Sequence, residues 1–593
     1  MAGFIASATV RTLLHLSFMR IFLKGLTCIT LCFALNHPAF SQQKQGYITS
    51  LGRQNHWVDS VYKKLNKKTR IAQLFFVRAH TNKGQAYEDS VGNVIKDQQV
   101  GGLVFFQGGP VRQAELTNQY QKLAKVPLLI AMDGEWGLGM RLDSTISYPY
   151  QMTLGAIQDN SLIYKMGQFV AYDFKRIGMQ MNLAPDMDVN NNPDNPVINF
   201  RSFGDNKYNV AAKGIAYMKG MQDAGLLTSA KHFPGHGDTN VDSHLDLPLL
   251  PFDRKRLDTL EEYPFRQAIK AGISGIMIAH MDIPALDSTT NVPSTLSRPI
   301  VTGNLKDSLG FKGLVLSDAM EMKAVLKYFP DGEADVRAFL AGNDIIELSE
   351  NSERAIKLIK KAIRKDGVTK KEFEARVKKV LAAKYWAGLN HYRETPTENL
   401  VEDLNRESAK KLVQQLCDNA ITLLKGDGST LQLNPIAKTA IVSIGVTEPT
   451  VFQQELGQQW YLNHDTFIVG KATPAEELLE LLGKLRQYDQ VFVSVNDTRP
   501  RPASKLDYSN GVKLFISELA SFKNSVFCVF ANPYAIAGLP GIEKSGALIA
   551  GYQMNDEMQR SAVKVITRLI NPKGKLPVRI NQFFTSGNGV ILR

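Results

Sequence analysis

From about residue 60 the chain repeats one pattern eight times: a short apolar run, then a longer amphipathic stretch. The runs are IAQLFFVRA (71–79), GGLVFF (101–106), PLLIAMD (127–133), MQMNLAPDMDV (179–189), LLTSAKHF (226–233), GIMIAHMD (275–282), GLVLSD (313–318) and NDIIEL (343–348). Each is short enough for a strand buried on both faces. The stretches between them, such as EEYPFRQAIKAG (261–272) and GEADVRAFLAG (332–342), read as helices that close on glycine. Eight such units in about 300 residues predict an α/β fold, a (β/α)8 TIM-like barrel rather than an open sheet. The barrel domain is expected over 42–393, with a linker and connecting helix at 394–415. A second series follows: AITLLKG (420–426), TAIVSIG (439–445), QVFVSVND (490–497), SVFCVFA (525–531) and GALIAGY (546–552). It predicts a smaller α/β sandwich domain with a mostly parallel sheet over 416–593. The lysine-rich stretch 352–394 reads as helix with a solvated basic face.

Residues 1–41 stand apart. Arg20 and Lys24 precede the apolar run Gly25–Leu35, and Ala39 and Ser41 set small residues just ahead of polar Gln42. That is the layout of a cleavable signal peptide, with Met19 a tidier start than Met1 and a run too short to cross a bilayer. The protein is expected to be exported, periplasmic or extracellular, without stable membrane insertion. Cys28 and Cys32 lack the preceding small residue that lipid attachment wants, which leaves lipoprotein anchoring weakly supported. A content of 44% hydrophobic and 21% charged residues excludes disordered, collagen-like and polytopic membrane chains. The net charge of +13 would suit nucleic acid or an anionic surface. Losing Arg11, Arg20 and Lys24 with the signal, and no acids, leaves +10 spread over helix faces. No nucleic-acid motif accompanies it, and no nucleic-acid partner is expected. Cys417 and Cys528 lie among apolar residues and read as buried thiols, a single disulfide being the alternative.

Charged residues gather at the C-terminal ends of the predicted strands: Asp133 on the third, Asp186 and Asp188 on the fourth, Lys231 and His232 on the fifth, His280 and Asp282 on the sixth, Asp318 on the seventh. In a barrel these ends converge on one mouth, where active sites are built. The densest piece is KHFPGHGDTNVDSHLDLP (231–248). It could be a polar loop. It could be a metal site using His232, His236, Asp238, Asp242 and His244, although that spacing fits no tight ligand pattern. It could also be acid/base chemistry by Asp242 with His244. Residues two apart on an extended loop face the same way. A carboxylate there can fix one imidazole nitrogen and leave the other to pass a proton.

With KHFPGHG…DSH go LSDAMEM (316–322), AMDGEWG (131–137), NFRSFGD (199–205) and MIAHMDIPALD (277–287). On these segments the chain resembles glycoside hydrolase family 3 in its β-N-acetylhexosaminidase branch, strongly over 50–390. Over 400–580 the likeness is weaker but agrees with the family's second α/β domain, including GKLPV. The resemblance implies Asp318 as catalytic nucleophile and His244 as acid/base with Asp242 as its partner. It implies that Asp133, Arg141, Arg201, Lys231 and His232 bind the N-acetylglucosamine hydroxyls and acetamido group, with no metal or cofactor. The chain departs from the branch at Gly134 and Trp136, where Gln and Gly are common, and at Ala319, where a second Asp is common. The implied activity is that of an exported retaining β-N-acetylglucosaminidase. It would release non-reducing-end N-acetylglucosamine from peptidoglycan-derived muropeptides through a covalent glycosyl-Asp intermediate. A glucosidase-like β-glycosidase is the alternative, and a barrel metallohydrolase a more distant one. An imidazole also repels incoming phosphate less than a carboxylate would, which leaves phosphorolysis open beside hydrolysis.

Overall fold

A computed structural model of the chain describes residues 46–365, 368–459 and 462–592; the signal reading of 1–41 lies outside them. All eight apolar runs contain a strand: β1 Phe75–Ala79, β2 Gly102–Phe105, β3 Leu129–Met132, β4 Met181–Asn182, β5 Leu227–Phe233, β6 Gly275–Ile278, β7 Leu314–Ser317 and β8 Ile346–Glu347. They pair in parallel in the order β7-β6-β5-β4-β3-β2-β1-β8. Leu316 of β7 bridges Ile345 just ahead of β8, which brings the two edges of the sheet together into a barrel. Every residue of β5 is buried, as a parallel strand covered on both faces requires.

The fourth run pairs over only two residues, because Pro185 has no N–H to give to a neighbour. Its carbonyls keep it alongside β5: Ser229 N donates to Ala184 O and Lys231 N to Pro185 O, both at 3.1 Å. Asp186 and Asp188 are thereby carried to the mouth as if they ended a full strand. The glycine stops appear where expected. Helix Glu333–Ala341 ends at Gly342 with φ 121°, and a Cβ there would lie 2.5 Å from Thr302 Oγ1.

The second domain holds six strands: β9 Thr422–Lys425, β10 Thr439–Ile444, β11 His464–Val469, β12 Gln490–Asn496, β13 Ser525–Phe530 and β14 Ala547–Ala550. Their order is β11-β10-β12-β13-β14-β9, parallel except where β9 runs against β14. β11 has no counterpart in the sequence reading. It is an edge strand, HDTFIV, in which only Val469 is buried, so it never forms an apolar run. Helix Glu407–Ala420 leads into β9 and carries the chain unbroken through residues 415–416.

The basic stretch forms helices Ser352–Lys365 and Lys370–Trp386. Its solvated-face reading needs correcting at two lysines. Lys384 is buried, with Nζ 2.6 Å from Gln73 Oε1, and burial lowers its pKa to about 7. Lys379 donates to Asp344 at 2.8 Å. Cys417 and Cys528 are both buried and free. No helix among the described residues is long and apolar enough to cross a membrane.

Candidate active site

Strands β3, β4 and β5 deliver a chain of alternating charges to the barrel mouth. Asp133, directly after β3, accepts from Arg141 Nη2 at 2.8 Å and from Lys231 Nζ at 2.7 Å. Lys231 also reaches Glu135 Oε1 at 2.9 Å. Arg201 embraces the same Glu135 carboxylate through Nε (2.9 Å) and Nη2 (2.7 Å). Arg201 Nη2 then lies 3.3 Å from His232 Nε2, whose Nδ1 is 2.8 Å from Asp188. Burial works against the charges of Asp133 and Glu135, but Lys231, Arg141 and Arg201 outweigh it and hold both carboxyls below their ordinary values. His232 Nδ1 carries its proton toward Asp188, so Nε2 is free to accept from Arg201.

Removing one member of such a buried network strands the charges of the others. Glu135 is fully buried and pairs with two cations. Glu135→Gln is expected to destabilise the protein by about 3 kcal/mol, read as a lower urea midpoint.

The structure thus brings together the five residues implied as sugar-binding, Asp133, Arg141, Arg201, Lys231 and His232. It adds three that the sequence reading gave no role: Glu135, Asp188 and Asp186. Asp186 is buried near Arg201 (4.0 Å) and His232 (3.7 Å), and burial with the neighbouring Asp188 charge raises its pKa well above the carboxylate range. Asp186, Asp188 and His232 are the one group among the described residues close enough to share a cation. Arg201 stands beside the group, 4.0 Å from Asp186 and 3.3 Å from His232 Nε2. The five loop residues of the metal alternative do not converge. Asp238 pairs with Arg256 at 2.9 Å, and His236 is held between Thr239 (2.8 Å) and Ser243 (3.2 Å). Burial raises the pKa of the Asp282 carboxyl, with the backbone of Asn291 opposing it.

Asp318 follows β7 and is pinned from both sides. Its N–H donates to Ile278 O at 3.0 Å, and Met320 N donates to Glu347 O at 2.9 Å. Its Oδ1 accepts from Ala319 N at 2.7 Å. His280, two residues past β6, donates from Nε2 to Ala319 O at 3.1 Å. Burial disfavours the Asp318 charge, yet His280, His232, the Ala319 N–H and His244 together hold the carboxyl below its usual value.

The loop after β5 is fastened in its first half. His236 N donates to Asp188 at 2.6 Å, Asn195 Nδ2 to His236 O at 2.8 Å, and a Cβ on Gly237 would lie 1.9 Å from Val189 O. Its second half is open. His244 is 63% exposed, and its N–H and Nδ1 both meet Asp242 Oδ1, at 2.9 and 2.7 Å. Burial opposes the Asp242 charge, and the two His244 contacts more than offset it. Beyond His244, Asp246 pairs with Lys327 at 2.9 Å, tying the loop to the segment after Asp318. His244 is in turn among the charges that act on Asp318.

The departures at Gly134 and Trp136 have a packing reason. A Cβ on Gly134 would lie 2.5 Å from Phe174, and Trp136 packs edge-on against Tyr150 (4.9 Å) beside Phe200, the residue before Arg201. The Arg201 loop is held from outside by the second domain. Asn532 Nδ2 donates to Asn199 Oδ1 at 2.5 Å, and Asn190 Nδ2 donates to Tyr534 Oη at 3.0 Å. At the GKLPV segment Asp205 N donates to Pro577 O at 3.1 Å, and Arg579 N donates to Asp205 at 2.6 Å.

The family model "Glycosyl hydrolase family 3 N terminal domain" matches residues 66–383. Beta-hexosaminidase A of Pseudoalteromonas piscicida is 27% identical over 565 residues, covering 83% of this chain and 91% of that protein. A beta-hexosaminidase of Thiobacillus denitrificans is 33% identical over 282 residues, 45% of this chain and 76% of its own length. The solved structure of a glycoside hydrolase family 3 beta-N-acetylglucosaminidase from Paenibacillus sp. superposes with a TM-score of 0.71 at 29% identity. It covers 87% of this chain and 99% of that one.

Proposed function

The chain belongs to glycosyl hydrolase family 3, and from that premise we propose that it is an exported, retaining β-N-acetylglucosaminidase acting on peptidoglycan-derived muropeptides. One observation carries the reading: Asp318, a carboxyl held below its ordinary pKa, lies within the electrostatic reach of His244, an imidazole that Asp242 orients. A retaining glycosidase needs a nucleophile below the anomeric carbon and a group that first gives and then takes a proton. Asp318 attacks the sugar and forms the glycosyl-enzyme as His244 Nε2 protonates the leaving oxygen. His244 then deprotonates the water that releases the sugar. An imidazole titrates nearer neutrality than a carboxylate, which suits both directions of proton transfer. The charge network from Arg141 to His232 offers donors and acceptors for the hydroxyls and the acetamido group of the sugar.

Export is supported by the sequence of residues 1–41, and the muropeptide by the branch resemblance. The deciding experiment compares hydrolysis of an N-acetylglucosaminyl-anhydromuramic acid peptide with that of chitobiose and nitrophenyl β-glucoside. The reading expects the muropeptide to be preferred; a preference for the glucoside would favour the glucosidase-like alternative. A relative in Cellulomonas fimi, 25% identical over 385 residues, is named beta-N-acetylglucosaminidase/beta-glucosidase, which makes that comparison pointed. Run in phosphate buffer, the assay is expected to yield free sugar and no sugar phosphate. Labelling of Asp318 by a 2-fluoro sugar separates the covalent route from assistance by the substrate's own acetamido group.

The second domain has a part in this reading, because it holds the loop that aims Arg201. Asn532→Ala is expected to raise KM about 10-fold, in line with the sensitivity of bound geometry to small displacements, with a smaller change in kcat. Steady-state kinetics on the nitrophenyl N-acetylglucosaminide would check this.

A further inference from the structure

Glu347 ends β8 at the same mouth, and nothing in the proposed chemistry uses it. It is 2% exposed, and its Oε1 has no hydrogen-bond partner in the protein. Its backbone fixes its place: the N–H donates outward from β8 to Ser317 Oγ at 2.9 Å, and the carbonyl receives Met320 N from the Asp318 segment. On its other side it stands in register with Phe76 of β1. The charges that act on its carboxyl are those of Asp133 and Asp318, with Lys231 opposing them.

The nearby cations are engaged elsewhere. Lys231 is shared by Asp133 and Glu135, Arg141 serves Asp133, Arg201 serves Glu135, and Arg78 serves Glu321. A third negative charge beside Asp133 and Asp318 in a buried setting is not sustained. Burial first, and the two carboxylates next, push the Glu347 carboxyl well above the ordinary range, so it keeps its proton. A buried acid with an unpaired oxygen is costly unless something meets it.

The neighbouring carboxylates explain what that is. Ionised Asp133 and Asp318 can only accept hydrogen bonds, whereas a sugar hydroxyl both donates and accepts. At the end of β8 a protonated Glu347, with its Oε1 unpartnered, supplies the donor that those two lack. We propose that Glu347 is a substrate-binding residue whose carboxyl group donates a hydrogen bond to one hydroxyl of the sugar at the barrel mouth.

The inference rests on the pocket being the sugar site proposed above. The test measures kcat/KM for wild type, Glu347→Gln and Glu347→Met on nitrophenyl β-N-acetylglucosaminide and on its 3-, 4- and 6-deoxy analogues. Gln keeps a donor without charge and is expected to stay within about 5-fold of wild type. Met keeps the bulk without the donor and is expected to lose about 50-fold, the cost of a lost bond in a site built for it. On one deoxy analogue the Met penalty is expected to shrink to about 3-fold, because the hydroxyl it served is gone. Should Met not fold, by circular dichroism, Glu347→Ala takes its place in the same cycle. Equal penalties on all four substrates, or a Gln variant as impaired as Met, would overturn the proposal. A wild type inactive on the parent substrate would instead overturn the functional reading beneath it.

Discussion

Asp318→Asn is expected to lower turnover of a nitrophenyl N-acetylglucosaminide by about 10⁴-fold or more, the scale of losing a covalent nucleophile. The amide matches the carboxylate in shape, so the local frame should survive: Asp318 N to Ile278 O, Met320 N to Glu347 O, and the Ala319 N–H onto the side-chain oxygen. What is lost is the charged oxygen that bonds to the anomeric carbon. Binding of N-acetylglucosamine, measured by calorimetry, should therefore persist while chemistry stops. The same surroundings set the acid limb of the pH profile. A carboxyl whose pKa is lowered in the folded enzyme stays ionised as pH falls and is lost only when pH passes below the lowered value. The acid limb of kcat/KM is accordingly expected below 3.8, the ordinary aspartate value. An active Asn variant, or an acid limb well above that point, would remove Asp318 from its role.

Much of this site was legible in the chain because barrels put chemistry at strand ends. Asp133, Lys231, His232 and Asp318 each close an apolar run, and the structure finds each at the mouth. Glu347 obeys the same rule, but a single acid near the end of NDIIEL reads as no more than the end of a strand. Glu135 was hidden differently. It lies three residues beyond its strand, and its partners Arg201 and Lys231 are 66 and 96 positions away, so no local pattern announces the pairing. β11 escaped because an edge strand buries one residue of six and leaves no apolar run. Long-range pairing and edge exposure are properties of the assembled fold. The periodicity that reveals buried strands carries neither. The second domain's grip on the Arg201 loop belongs with them, since Asn532 and Tyr534 acquire meaning only once the loop is seen to lean on them.

Replacing His244 should separate the two steps of the reaction. His244→Ala is expected to lower kcat about 10²–10⁴-fold on substrates whose leaving group needs a proton. With a dinitrophenol leaving group, which departs as a stable anion, the first step should largely recover and the glycosyl-enzyme should accumulate, because water still lacks a base. Azide needs no base, and the exposed position of His244 leaves a path for it to enter. Added azide should therefore restore turnover and give the β-glycosyl azide with retained configuration. Asp242→Asn probes the orientation of the same imidazole. Asp242 Oδ1 accepts from both the His244 N–H and Nδ1, so it holds the tautomer whose Nε2 is free to take a proton. An amide turned to donate to Nδ1 would select the other tautomer, and a loss of about 10²-fold or more is expected, close to that of His244→Ala. Because the two groups act as a unit, the double variant should be little worse than either single one. Additive losses, or no glycosyl azide from His244→Ala, would mean that the proton reaches the leaving oxygen from another group.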